Sequence, residues 1–108
     1  MRLLLDENLP KRLKLDFSEH EIFTVSDKKW NSFTNGKLLE VMLAEGFDAF
    51  FTFDKNLQHQ QNFITYPITV FILHASLNSY EQIYPLIPAF KKILNQHPLP
   101  KGPITISL

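Results

Sequence analysis

Two strongly apolar runs, each closed by an aspartate, constrain this chain more than any other feature. Leu3, Leu4 and Leu5 lead into Asp6, and Phe47, Ala49, Phe50, Phe51 and Phe53 lead into Asp54. Residues 68–73 form a further run of the same kind. A strand with one wet face alternates apolar and polar side chains. Runs without alternation suit strands buried on both faces, as in a parallel sheet. None approaches the roughly 20 apolar residues that a membrane helix needs. Ile22, Phe23 and Val25 mark another strand over 21–25, and residues 104–108 read as a final edge strand.

Helical patterns fill the intervals. Leu9, Leu13 and Phe17 recur at four-residue spacing behind Asn8-Leu9-Pro10, where Asn8 is a candidate cap and Pro10 fits a first turn. A second helix is expected over 37–45, capped by Asn35 and stopped by Gly46, with Leu38, Leu39, Met42 and Leu43 as its buried stripe. Ser79 and Gln82 form a capping-box pattern ahead of Tyr80, Ile83, Tyr84, Ile87, Phe90 and Leu94. Pro85 and Pro88 are expected to kink or split that helix. Strands alternating with helices imply an α/β domain over residues 1–108, with right-handed crossovers and a mainly parallel sheet between helical layers. Ligand crevices in such sheets lie at the carboxyl ends of the strands, where Asp6 and Asp54 fall.

Composition narrows the function. With 108 residues, 11 Lys+Arg against 11 Asp+Glu and ten Phe, the chain has one domain's worth of core and no net charge. Disorder is excluded as the main reading, and zero net charge argues against a protein that coats nucleic acid by charge alone, while leaving room for a local basic face. No Cys means no disulfide and no thiolate zinc site. The apolar run after Met1-Arg2 is too short for a signal peptide and lacks a small-residue cleavage site, so a cytoplasmic location is expected. Three Gly leave no glycine-rich nucleotide loop, and the four His are dispersed. The stretch 80–90 has more apolar side chains than one buried stripe requires, which points to a homodimer or a covered surface.

The candidate chemistry is carboxylate chemistry. Asp6-Glu7-Asn8 follows one buried strand and Asp54-Lys55-Asn56 another. If the strands are neighbours, Asp6 and Asp54 converge, and oxygen donors of that kind suit Mg²⁺ or Mn²⁺ with water completing the shell. Such an ion activates water and stabilises charge on a phosphoryl group. A plainer account serves the same residues: acids in the favourable field of a helix N-terminus, and Asp54 as a turn former. Asn35-Gly36 offers an amide to the same crevice or simply caps a helix. Gln60 and Gln61, within Gln58-His59-Gln60-Gln61-Asn62, are either a polar surface or contacts to bases, phosphate or a partner protein.

Leu4-Leu5-Asp6-Glu7-Asn8-Leu9-Pro10, taken with Thr52-Phe53-Asp54-Lys55-Asn56-Leu57, resembles the short prokaryotic PIN-like proteins related to the toxin nucleases of toxin–antitoxin modules. Trp30, Asn35-Gly36, Leu38-Leu39, Gly46-Phe47-Asp48 and Gln60-Gln61-Asn62 are similar to one branch of that family. The resemblance implies a PIN-like three-layer fold and a Mg²⁺-dependent endoribonuclease of toxin type. Asp6 and Asp54 would hold the metal, Glu7 would join them as a catalytic acid, and Asn8, Asn35 and Asn56 would support them. Lys11, Arg12 and Lys55 would meet RNA. The alternative is a non-catalytic PIN-like module that binds RNA or a small antitoxin-like protein. Two positions depart from the pattern: Asn35 stands where many relatives carry Asp, and Lys37 where this branch often has Glu.

Overall fold

The computed structural model describes residues 1–57, 63, 65–74 and 79–107. Five strands, β1 (Arg2–Leu5), β2 (Glu21–Thr24), β3 (Ala49–Thr52), β4 (Thr69–His74) and β5 (Gly102–Ser107), form one sheet in the order β2-β1-β3-β4-β5. Every pairing is parallel. The helices among the described residues are α1 (Leu13–Asp16), α2 (Asn35–Ala44), α3 (Tyr80–Ile83) and α4 (Ile87–Leu94), with a 3₁₀ turn, Tyr84–Leu86, between the last two. None is long and apolar enough to cross a membrane.

The apolar runs sort their side chains by the two-residue strand period. Leu3, Leu5, Phe51, Phe71 and Leu73 face one layer, where Leu13, Phe17, Ile83, Leu86, Ile87, Phe90 and Leu94 cover them. Leu4, Phe50, Val70 and Ile72 face the other, against Trp30, Leu38, Leu39, Met42 and Phe47. Phe51 meets Phe17 and Phe71 edge-on, with centroids 5.2 and 4.9 Å away, so the first layer is held largely by aromatic packing. The core thus takes up Ile83, Leu86, Ile87 and Phe90 from the stretch suspected of excess, and Tyr84 stays 57% exposed.

Three expectations need correction. Asn8 does not cap a helix: residues 7–12 form turns, and α1 begins only at Leu13. Leu9 precedes Pro10, whose ring disfavours helical backbone at the residue before it, so Leu9 is a poor first helical residue behind an Asn8 cap. Thr34, not Asn35, caps α2: the Lys37 amide donates to its hydroxyl at 3.3 Å, and Asn35 is the first helical residue. The third concerns chirality. The β1–β2 connection steps one way across the sheet with α1 on the first face. The β2–β3 connection steps the other way with α2 on the second face, and therefore has the same hand. The β4–β5 connection steps like β2–β3 yet carries α3 and α4 on the first face, so its hand is opposite to theirs, and the connections are not all right-handed as expected. The reason lies in coverage. α1 has only four residues, and the first face needs the apolar side chains of residues 83–94 to close it.

Candidate functional site

β1 and β3 lie side by side and parallel, with Leu5 opposite Phe51. The chain leaves β1 toward β2 on one side, while β3, β4 and β5 extend on the other. The β1/β3 boundary is therefore where the winding direction reverses, the place at which open α/β sheets bind ligands beyond their strand ends. Asp6 and Asp54 both follow strands at that boundary.

One hydroxyl joins them. Thr52 ends β3 fully buried, and its Oγ1 donates to Asp6 Oδ2 at 2.6 Å while accepting from the Asp54 amide at 3.0 Å. The Asp6 amide donates to the Phe51 carbonyl at 2.9 Å, extending the β1–β3 ladder by one bond and fixing where its side chain starts. Asp6 Oδ1 accepts from the Glu7 amide at 2.8 Å. Asp54 Oδ1 accepts from the Asn56 amide at 3.0 Å, a local turn that orients the carboxylate, and Oδ2 accepts from Asn35 Nδ2 at 3.2 Å. Both aspartates are half-buried. Because Thr34 does the capping, the Asn35 side chain is released to reach across to β3.

Glu7 turns the other way. Its Oε1 accepts from the Ser26 amide just beyond β2, so it braces the β1 and β2 loops against each other. Asn8 is exposed and makes no side-chain hydrogen bond with a described residue. Asn56 contributes its backbone amide. Lys11 and Lys55 are exposed beside the acids in sequence, while Arg12 packs on the Tyr80 ring, its guanidinium carbon 4.3 Å from the centroid. Gln60 and Gln61 lie outside the described residues. Sequence reasoning missed two members, Thr52 and Ser26. A threonine closing an otherwise apolar strand was the available signal for the first, since a buried hydroxyl there must find partners.

The donor set decides which ion would fit. Among the described residues no three acidic or imidazole side chains gather into a metal-holding group. Two half-buried carboxylates and a carboxamide oxygen fit an ion that keeps most of its water, as Mg²⁺ does, and do not fit a dehydrated cage of many carboxylates. A surface concavity of about 530 Å³ lies elsewhere, at the amino ends of the strands around Arg2, His20 and Asp48. Its polar groups are already matched: Arg2 Nε pairs with Glu21 at 2.9 Å, and the Arg2 amide donates to Asp48 at 2.8 Å. The chain matches no family model, no curated protein and no solved structure.

Proposed function

We propose that the β1/β3 crevice is the centre of a Mg²⁺- or Mn²⁺-dependent endoribonuclease of PIN-like type. The observation that carries this reading is the pair of aspartates tied to one buried threonine hydroxyl at the reversal point of the sheet. Asp6 and Asp54 would hold the ion, and the ion supplies a Lewis acid for the phosphoryl oxygens and a more acidic bound water. The rest is the work of the chain's own residues. Thr52 fixes the Asp6 carboxylate by a hydrogen bond and keeps Asp54 in register. Asn35 holds one Asp54 oxygen and presents its own carbonyl oxygen as an acceptor for a water proton. Glu7 positions the β1 loop through Ser26. Lys11 and Lys55 supply cations for an RNA backbone running past the acids.

A second reading has an observation of its own. Glu7 is occupied by Ser26, and an amide stands at position 35, so the crevice presents two carboxylates rather than more. That favours a module which binds RNA, or a small antitoxin-like protein, without cutting. One experiment separates the two. Thermal melting with and without millimolar Mg²⁺ or Mn²⁺ is followed by RNA incubation under the same conditions. An ion that binds only the native state stabilises by about 2.7 kcal/mol at a hundredfold excess over Kd. The wild type is expected to melt higher with metal and to cleave RNA, and Asp6→Asn to lose both. No metal-dependent rise in the wild type sinks the hydrolytic reading. A rise without cleavage favours the binding module.

A further inference from the structure

The layer made by α1, α3 and the 3₁₀ turn carries an open cavity of about 420 Å³, lined by Arg12, Tyr80, Glu81 and Tyr84. Its volume falls within the roughly 300–1,000 Å³ of ordinary ligand clefts. Arg12 stands on the turn that follows Asp6-Glu7-Asn8, and Tyr80 opens the helix that follows β4. The walls differ in character. Tyr80 is fixed: its hydroxyl donates to Asp16 Oδ2 at 2.7 Å, a bond that raises the phenol pKa above its ordinary value, and Arg12 lies over its ring. The Tyr84 ring is 5.7 Å from that of Tyr80 and largely open to solvent. Among the described residues Glu81, which is exposed, has no ion-pair partner, and the Arg12 guanidinium makes no hydrogen bond.

An open aromatic ring beside a held arginine is a stacking platform for a planar ring with a phosphate attached. The carboxylate narrows the choice of ring. An ionised Glu offers only acceptors. Guanine alone among the bases presents two adjacent donors, N1–H and the N2 amino group, on its pairing edge. Adenine, cytosine and uracil each set an acceptor next to their donor and would be repelled.

We propose that this cavity holds a guanine base of single-stranded RNA, stacked on Tyr84, with its pairing edge on Glu81 and its phosphate on Arg12. The choice of RNA rests on the reading of the Asp6–Asp54 crevice, to which the cavity adds the identity of a neighbouring nucleotide. Fluorescence anisotropy in EDTA tests it, so that no hydrolysis intervenes. The probes are a short all-uridine oligomer, the same oligomer with one guanosine, and one with inosine in its place. The guanosine oligomer is expected to bind about tenfold tighter than the all-uridine one, and inosine to lose most of that gain. Glu81→Gln should abolish the guanosine preference, both by weakening the guanosine oligomer and by relieving the repulsion of uridine. Tyr84→Ala should weaken every oligomer about tenfold, and Tyr84→Trp should not. Equal affinity for the guanosine and uridine oligomers overturns the proposal, as does a preference that survives Glu81→Gln. Sedimentation showing that a second copy occupies Tyr84 and excludes RNA overturns it too. A guanosine preference without metal-dependent cleavage would sink the hydrolytic reading and leave the cavity standing. Cleavage without the preference would do the reverse.

Discussion

At the scale of single residues, Thr52 has the largest consequences for its size. Removing its hydroxyl while keeping its shape leaves an Asp6 oxygen without a donor and the Asp54 amide without an acceptor. Thr52→Val is expected to cost about 1–2 kcal/mol in urea unfolding, moderated by water reaching the half-buried Asp6. Thr52→Ser keeps both bonds. The metal-induced rise in melting temperature should therefore persist in Thr52→Ser and vanish in Thr52→Val, which a role in packing alone does not predict. Asp6 and Asp54 were legible in the sequence because each closes a buried run. Thr52 left a fainter signal, because threonine is an ordinary strand former and only the neighbouring β1, which brings Asp6 within reach, shows what its buried hydroxyl binds.

At the scale of elements, the start of α2 separates stability from function. Thr34 caps the helix, whereas Asn35 spends its side chain on Asp54. Thr34→Ala is expected to lower stability by about 1 kcal/mol. Asn35→Ala should cost clearly less, and should alter metal affinity where Thr34→Ala leaves it unchanged. Equal stability losses in a denaturant series would contradict this division. Sequence alone cannot divide the two, since both residues are good caps and stand next to each other. The far end of α2 was readable. Gly46 adopts φ +76°, and the Phe47 and Gly46 amides close back on Met42 and Leu43 at 2.9 and 3.2 Å, a left-handed stop that a glycine signals. Pro85 and Pro88 likewise announced a broken helix, and the chain there divides into α3, a 3₁₀ turn and α4. The first helix is shorter than its spacing suggests because Leu9 and Phe17 bury themselves from turns on either side of α1, so the four-residue spacing reports burial rather than helix.

At the scale of the whole molecule, the loop after β2 is tied to the layer beneath it by Lys14 and Asp27, 2.7 Å apart. The Lys14 ammonium, and then the Thr24 amide, hold the Asp27 carboxyl below its ordinary value of 3.8. A carboxyl with a depressed folded pKa binds fewer protons folded than unfolded. Its contribution is present above about pH 4 and is lost as the pH falls through the depressed value. Because the pair is exposed, the stability difference between wild type and Asp27→Asn should stay under about 1 kcal/mol at neutral pH. It should shrink as acid titrates the carboxylate, and a difference that stays constant across a pH series of urea melts would remove the ion pair from the account. The alternation of elements, the parallel sheet and the covering of both its faces all followed from periodicity. The hand of the last connection did not, because it depends on how much of the first face the short α1 leaves bare.

That reversed connection also sets an order of events in time. It brings Tyr80 against Asp16, 64 positions earlier in the chain. With the hand of the β1–β2 and β2–β3 connections, α3 would lie across the sheet from α1, and Arg12 would never meet Tyr80. No local fragment contains a precursor of the cavity between them. Contacts of such separation close late, since loop entropy opposes them until their neighbours are in place. During synthesis the acids at the ends of β1 and β3 come together while residues 80–94 are still undocked. The cavity between Arg12 and Tyr80 is thus the last feature the chain acquires, after Asp6 has met Thr52.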